Sequence, residues 1–522
     1  MDDKERNKTF FALSDIRNFK FRLALEGAVV GAFSGCVIGF YRFCLEEIDQ
    51  HRMLLYSFFR DASPLYVVGW IIVLMHMAGA VSWLVRFAPL SGGSGIPQIK
   101  GNILGVYKTN WWRIIVAKVL SCIMAVGAGL SLGREGPSIQ LGGMAGQGIS
   151  RIFGRSRMEE RCLISSGAGA GLAAAFNAPL ASVMFTMEVI HRTLSPIVLL
   201  PTLVAALVAT LVAHVIFGRN TIFDIPSLIF VEFKILPHIM CLGIFLGLAG
   251  VVFNKVMLNS GSLYKLPCFK NNFLKFLFPM LLTIPLGFYL PQILGGGDAI
   301  VAQLVHHDNG LKFLVFLLGA KLLFTMISAG SGIPGGTLQP MLVMGALCGY
   351  IYAAIMIQAG LLPALYTVHC VVFAMAGIFT ASVRAPITGI ILILELTGTF
   401  KHLVPLALVT LFAYSVAEFF HSPPIYDETL RRAMATDKDN LAVMVKPNTR
   451  NIVEIPIESG SIADGKMLCK VAWPGNSLVV AVKRGEHDII PRGDTRLLAG
   501  DYIYVIADNK YVQEVKNLMV RA

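Results

Sequence analysis

Gly133-Arg134-Glu135-Gly136-Pro137-Ser138 interrupts an otherwise apolar part of the chain, and its reading decides the fold. Glycine allows close backbone approach, and proline suits the first helical turn, where its missing N–H is no loss. The stretch therefore ends one segment and starts a helix at the same point. Two more stretches share its make-up: Gly93-Ser94-Gly95-Ile96-Pro97 and Gly336-Thr337-Leu338-Gln339-Pro340. Each can launch a helix whose free N–H groups point at a common spot. A helix N-terminus carries about half a positive charge, so several converging ends would hold an anion without any full positive charge. Such partial charges suit passage, because a buried Lys or Arg would release an anion too slowly. Any one of these stretches alone reads equally well as a turn. The three together point to a site.

The breaks belong to an internal repeat. Asn177-Ala178-Pro179-Leu180 leads into an apolar helix holding Glu188, and Arg384-Ala385-Pro386-Ile387 leads into one holding Glu395. Both features recur at a spacing of 207 residues, and Gly133 and Gly336 at 203. A duplicated half of about 200 residues fits, with halves of about 24–218 and 233–435. Transporter repeats commonly run with opposite topology around a midplane site, and that rule supplies the expected inversion.

Composition agrees with a chain made for lipid. Of 522 residues, 55% are hydrophobic and 15% charged, with a mean hydropathy of +0.67, whereas soluble domains are about 25% charged. Apolar segments that could cross a bilayer are Leu25–Cys44, Leu65–Val85, Ile114–Leu132, Pro196–Phe217, Ile235–Leu258, Phe278–Ile293, Phe313–Ala329, Met341–Ala359, a run from Val372–Phe379 onward, and Leu403–Phe420. Gly142–Ile152 and Ile164–Phe176 are too short to cross about 30 Å of hydrocarbon. Short helices at that depth are tolerated inside protein or beside a wet cavity, which suits a transporter or channel. The net charge of +12 is scattered among apolar spans and fits basic cytoplasmic loops. It forms no dense nucleic-acid patch. Nine cysteines, mostly inside apolar runs and with no C-x-x-C pair, indicate neither a disulfide frame nor a zinc site. Residues 1–23, rich in both charges at their start, read as a cytoplasmic tail and not a cleavable signal.

From Thr436 the composition turns polar. Residues 436–450 read as a linker and 451–522 as a small cytoplasmic α+β domain. Its expected strands are Ser477–Val482, Asp488–Pro491 and Tyr502–Ile506, with a hairpin turn at Arg484-Gly485-Glu486-His487 and a closing helix over Tyr511–Val520.

The three breaks strongly resemble the signature motifs of the CLC chloride channels and proton–chloride antiporters, over roughly Ala24 to Met434. The third departs from the usual form, which has an aromatic where Leu338 stands. The resemblance implies an all-α polytopic membrane protein with an inverted repeat of broken, tilted helices. It also implies a homodimer with one anion path per subunit. It gives Ser94 a hydroxyl hydrogen bond to a central chloride, shared with the phenol of Tyr426. The backbone at Gly95, Ile96, Thr337 and Leu338, and that of Gly133, Arg134 and Gly136, would line the ion's path. Glu135 matches the gating glutamate, whose carboxylate can take an anion's place when charged and leave when protonated or displaced. Ser94 with Tyr426 favours chloride over fluoride or nitrate. Antiporters of the family often carry a second glutamate where Val189 stands, channels commonly a valine, yet some antiporters lack the glutamate too. Residues from Asn451 resemble the TrkA C-terminal domain, through Ser459–Lys466 and Leu498–Asp501. That likeness implies a dimerising module with a small regulatory ligand, or a plain assembly domain.

Plainer readings stand beside these. Ser94 could be a turn residue, Tyr426 an interfacial anchor, Glu135 the ion-pair partner of Arg134, and Glu188 a cap on a neighbouring helix. A passive chloride channel is the same-fold rival. A cation transporter would need a Thr-Val-Gly-Tyr-Gly filter, which is lacking. An intramembrane serine enzyme would need a serine beside His191, His214 or His369, and none is evident. The expectation is a non-enzyme without metal or other cofactor, multi-pass in the cell membrane with both termini cytoplasmic. Its partners are chloride and protons, lipid and a second copy of itself.

Overall fold

The structure is a computed structural model that describes residues 16–61, 63–218, 228–306, 310–436, 450–475, 477–484, 487–508 and 511–519. The chain divides into two compact units, 1–104 with 109–433, and 105–108 with 434–522.

The first unit is helical. Its first half holds α1 (Ile16–Asp61), α2 (Pro64–Phe87), α3 (Ile96–Ile103), α4 (Trp111–Gly127), α5 (Glu135–Ile152), α6 (Arg157–Phe176), α7 (Pro179–Phe185) and α8 (Pro196–Phe217). The second holds α9 (Leu236–Asn259), α10 (Asn272–Tyr289), α11 (Asp298–His306), α12 (Leu311–Gly330), α13 (Leu338–Gln358), α14 (Thr367–Val383), α15 (Pro386–Thr397) and α16 (Leu403–Phe419), followed by α17 (Ile425–Thr436). Among the described residues, eight helices are long and apolar enough to cross a membrane. Each of the three breaks starts a helix, α3, α5 or α13, with proline in its first turns.

Local chemistry explains the differences from the expected spans. The helix of Leu25–Cys44 starts at Ile16, inside the stretch read as a tail, and runs on to Asp61. Charges become dense after Cys44, but Leu45, Tyr56 and Phe59 stay buried, so one face remains apolar. The span read as Phe278–Ile293 lies over Asn272–Tyr289, because Leu290 leaves helical geometry just before Pro291. The run from Val372 stops at Val383. Arg384 takes a left-handed φ of 67° and a new helix starts at Pro386. The pieces Gly142–Ile152 and Ile164–Phe176 are the C-terminal parts of α5 and α6. These two helices touch backbone to backbone, since a methyl on Gly142 would collide with Gly167 O and one on Gly171 with Ser138 O. Between lipid-embedded helices, where apolar contact with lipid is as good as contact with protein, such close approach is a main source of affinity.

The repeat is visible atom by atom. Gly133 and Gly336 exchange N–H···O bonds of 2.7 and 2.8 Å. Lys118 Nζ donates to Ser91 O and Gly93 O, and Lys321 Nζ to Ile293 O and Gly295 O. Asn177 and Arg384 share the left-handed conformation that ends α6 and α14. Glu188 accepts from Ile387 N (3.2 Å) and Thr388 N (2.8 Å), while Glu395 accepts from Leu180 N (3.0 Å) and Ala181 N (2.8 Å). A contact in which i meets j and the equivalent of j meets the equivalent of i requires a two-fold axis. Two cavities give its direction. One is lined by Leu194, before α8, and by Tyr414 and Glu418, late in α16; the other by His214 and Phe217, at the end of α8. α8 and its repeat mate α16 therefore run in opposite senses, and the halves are inverted. With 22 residues at 1.5 Å each, α8 is about 33 Å long, so the cavities open on opposite faces of the membrane layer.

The second unit holds a four-stranded antiparallel sheet in the order β1-β4-β2-β3, with β1 (Arg450–Pro456), β2 (Leu478–Arg484), β3 (His487–Ile489) and β4 (Tyr502–Asp508). The closing helix α18 spans Val512–Met519. Ile455, Val482, Ile503, Val505, Val515 and Met519 form its core. β1 went unread because it opens at the end of a polar linker. Residues 437–449 of that linker, with Gly485 and Glu486 of the hairpin turn, lie outside the described residues. Asp464 accepts from Gly460 N and Ala499 N, which joins the two stretches Ser459–Lys466 and Leu498–Asp501. Arg484 holds buried Asp501 with two bonds of 2.8 Å. Burial alone would raise the Asp501 carboxyl, but Arg484 and the Leu498 N–H outweigh it and hold it below the usual range.

Candidate functional site

The three breaks meet. A methyl on Gly136 would sit 2.5 Å from Ser94 O and 3.2 Å from Gly336 Cα, so first, second and third stretches are in backbone contact. Gly93 N donates to Gly332 O, and Gly335 N to Gly93 O. The N-terminal turns of α3, α5 and α13 are thereby fixed at one place, where free N–H groups collect.

Glu135 lies there, wholly buried. Its Oε2 accepts from Gln339 N at 3.3 Å, in the first turn of α13. Its Oε1 has no hydrogen-bond partner among the described residues. The seat exists only because residue 133 has no side chain, since a methyl there would collide with Oε2 and lie 2.8 Å from Gln339 Cβ. The reading of Glu135 as an ion-pair partner of Arg134 does not hold. Arg134 turns to Glu46, 3.2 Å away, and Glu135 makes no salt bridge among the described residues. A carboxylate on a helix N-terminus stands where a free anion would be drawn.

Tyr426 is buried, against the reading as an interfacial anchor, and packs edge-on to Phe185 with centroids 6.5 Å apart. Its hydroxyl makes no hydrogen bond among the described residues, and Thr337 and Glu135 lie within electrostatic range of it. Ser94 is half-buried, and its Oγ accepts a long 3.4 Å bond from Ile96 N. Lys100 ties the elements of these two residues together. From α3 it donates to Val189 O at 2.9 Å and pairs with Asp427, next to Tyr426. Arg192 pairs with the same carboxylate. Gly95, Ile96, Gly133, Gly136 and Leu338 are buried around this junction. Glu188 is the cap it was read to be, with Thr388 Oγ1 as a further donor at 2.7 Å.

The junction lies between the two cavities. Tyr426, Asp427, Glu188 and Val189 line one of about 650 Å³. Arg134, Glu46, Asp49 and Asp298 line the other, of about 370 Å³. The chain thus holds a buried, half-satisfied carboxylate between two cavities, each large enough for water, on opposite faces.

One expectation fails. His191 does have a serine partner, as its Nε2 lies 2.6 Å from Ser165 Oγ. The Ser165 hydroxyl, however, donates to Arg161 O one turn back, so the imidazole donates to serine and does not activate it. The serine went unseen because Ser165 sits in a small-residue helix with no nucleophile pattern. Lys118 and Lys321, which brace the glycine turns, also went unread. Their spacing of 203 residues matches that of Gly133 and Gly336 and was the available signal.

Residues 77–418 match the family model described as voltage gated chloride channel, and residues 452–520 match the TrkA-C domain. The H(+)/Cl(-) exchange transporter ClcA of Vibrio campbellii is 34% identical over 435 residues, covering 80% of this chain and 91% of that protein. The crystal structure of a slow cyanobacterial Cl-/H+ antiporter superposes with a TM-score of 0.75 at 30% identity, over 80% of this chain and 99% of the other. A CLC-type fluoride/proton antiporter shares the fold, with a TM-score of 0.67 at 20% identity over 79% and 98% of the two chains.

Proposed function

The chain belongs to the voltage-gated chloride channel family, and from that premise we propose that it carries chloride across a membrane in exchange for protons, with Glu135 as the gate. One observation carries this reading. A fully buried carboxylate occupies a helix N-terminus between two cavities on opposite faces, with one oxygen unpartnered among the described residues.

In this reading the carboxylate is a tethered stand-in for chloride. When charged it fills the seat that the α13 N-terminus offers. Chloride arriving from either cavity competes for that seat. Protonation removes the charge that holds the side chain there, so one residue senses both substrates. An ionisable group within the membrane layer is functional by default. The chloride itself would rest on the Ser94 hydroxyl, the Tyr426 phenol and the N–H groups near Gly95, Ile96, Thr337 and Leu338, with Gly133, Arg134 and Gly136 lining the way. Partial charges alone hold it, which keeps release fast.

Exchange agrees with the H(+)/Cl(-) exchange of the Vibrio relative and the Cl-/H+ antiport of the cyanobacterial neighbour. Passive chloride conduction is the second reading, and Val189 favours it, since no carboxylate stands there for a proton arriving from the Tyr426 cavity. The protein works as a homodimer, with both termini in the cytoplasm and the Tyr426 cavity opening to that side. The TrkA-C domain binds a small regulatory ligand. No cofactor enters this reading.

Purified protein in chloride-loaded liposomes tests it, with chloride efflux and external pH recorded together. Proton uptake driven by the chloride gradient, and lost in Glu135→Gln, establishes exchange. Efflux without proton movement selects the channel. No chloride efflux at all removes chloride as the substrate.

A further inference from the structure

The Arg134 cavity holds three carboxylates, and only one is linked to Glu135. Glu46 is held by Arg42 at 2.6 Å and Arg134 at 3.2 Å, and Asp49 by Arg52. Asp298, at the start of α11, has no ion pair among the described residues. Its partner is the uncharged side-chain amide of Gln339, and the backbone N–H of the same Gln339 holds Glu135 Oε2. A single residue therefore connects an exposed carboxylate to a fully buried one. The amide fits closely, as a methyl on Gly296 would sit 2.5–2.6 Å from its atoms.

The repeat supplies an independent reason to single out position 298. Gly295-Gly296-Gly297-Asp298 is the second-half copy of Gly93-Ser94-Gly95-Ile96. Gly93 and Gly295 have φ of 65° and 63°, Gly95 and Gly297 of 101° and 98°, and a buried lysine braces each turn. At this turn the first copy carries Ser94 and then the apolar Ile96, whereas the second has Gly296 opposite Ser94 and puts a carboxylate, Asp298, opposite Ile96.

We infer that Asp298 is the proton-relay residue of the Arg134 cavity, serving Glu135; the inference rests on the reading of Glu135 as the exchanging carboxylate. Hydronium in the cavity gives its proton to Asp298 Oδ2, the oxygen not held by Gln339, and leaves as water. Asp298 passes that proton through cavity water to a Glu135 carboxylate oxygen and becomes a carboxylate again. The reverse sequence releases a proton. Gln339 positions both acids and carries no proton itself. Facing Asp298 are Arg42 and Asp49 of α1, Glu135 of α5 and Lys321 of α12. Lys321 donates to two carbonyls and Arg42 is paired with Glu46, and among the described residues none of these groups forms an ion pair with Asp298.

The test uses the full chain in liposomes with equal pH on both sides, and records chloride-driven proton uptake across a pH series. Asp298→Asn is expected to match wild type at acid pH, where water supplies protons directly. As pH rises it should fall behind by about tenfold, less than a direct general acid would lose. Asp298→Glu should restore the profile. A wild-type profile in Asp298→Asn, a loss of equal size at every pH, or failure of Asp298→Glu to rescue overturns the inference. If Asp298→Asn does not fold, Gln339→Met cuts the same link, keeps the backbone N–H on Glu135, and must reproduce the alkaline loss. Proton uptake that persists in Glu135→Gln overturns the underlying reading as well.

Discussion

At the scale of single residues, the absence of one side chain shapes the site. Gly133 leaves room for Glu135 Oε2, and an added methyl would strike first that far end of a flexible chain and then, at 2.8 Å, Gln339 Cβ. Gly133→Ala should therefore evict the carboxylate more readily than it unfolds the protein. Its expected result is chloride efflux raised severalfold, with the proton-to-chloride ratio reduced, read in the same liposome assay. A folded Gly133→Ala protein with wild-type efflux and coupling would show that the seat does not gate. Glu135 and Ser94 stand out in the sequence because each lies within local Gly and Pro punctuation, while Tyr426 is singled out by the resemblance of Pro423-Pro424-Ile425-Tyr426 to the family. Asp427 and Asp298 do not stand out, because their partners lie 327 and 41 residues away and no local pattern announces them.

At the scale of elements, each half caps a helix of the other. The first N–H groups of a helix have no partner within it, and α15 finds one in Glu188 while α7 finds one in Glu395. Glu188→Ala leaves the Thr388 N–H and hydroxyl unpaired in a buried place, which costs about 1–3 kcal/mol. Glu395→Ala should cost a similar amount. The double variant should depart from additivity, because both carboxylates serve one α7–α15 contact. Thermal unfolding in detergent measures all three, and strict additivity would deny the shared clasp. Helix starts were readable from the sequence since proline and glycine act locally. Helix ends at Asp61 and Tyr289 were less so. The first depends on which face stays buried and the second on where Pro291 falls.

At the scale of the whole molecule, two units of different chemistry share one chain. The membrane unit uses the carboxylates Glu188 and Glu395 to cap helix starts and the ammonium groups of Lys118 and Lys321 to brace turns. The TrkA-C unit rests on a small core and on Arg484 with Asp501. Because the folded Asp501 carboxyl is held below its usual range, its contribution is full above the unfolded value of about 4. It is lost as pH falls through the folded value. Arg484→Met leaves burial opposed only by the Leu498 N–H, so the acid-side loss of stability should shrink or reverse, and the unit should be destabilised by about 1–3 kcal/mol. Amide exchange of β4 in the full chain, corrected for intrinsic rates, measures both. An unchanged acid response in Arg484→Met would remove the pair from the account. The inverted repeat also sets a timetable for synthesis. Glu188 leaves the ribosome about 200 residues before Thr388, an interval of roughly 10–40 s at about 5–20 residues per second. For that time the first half sits in the bilayer with a carboxylate awaiting its donors, so the nascent protein has a window of exposure that no later stage of its life repeats.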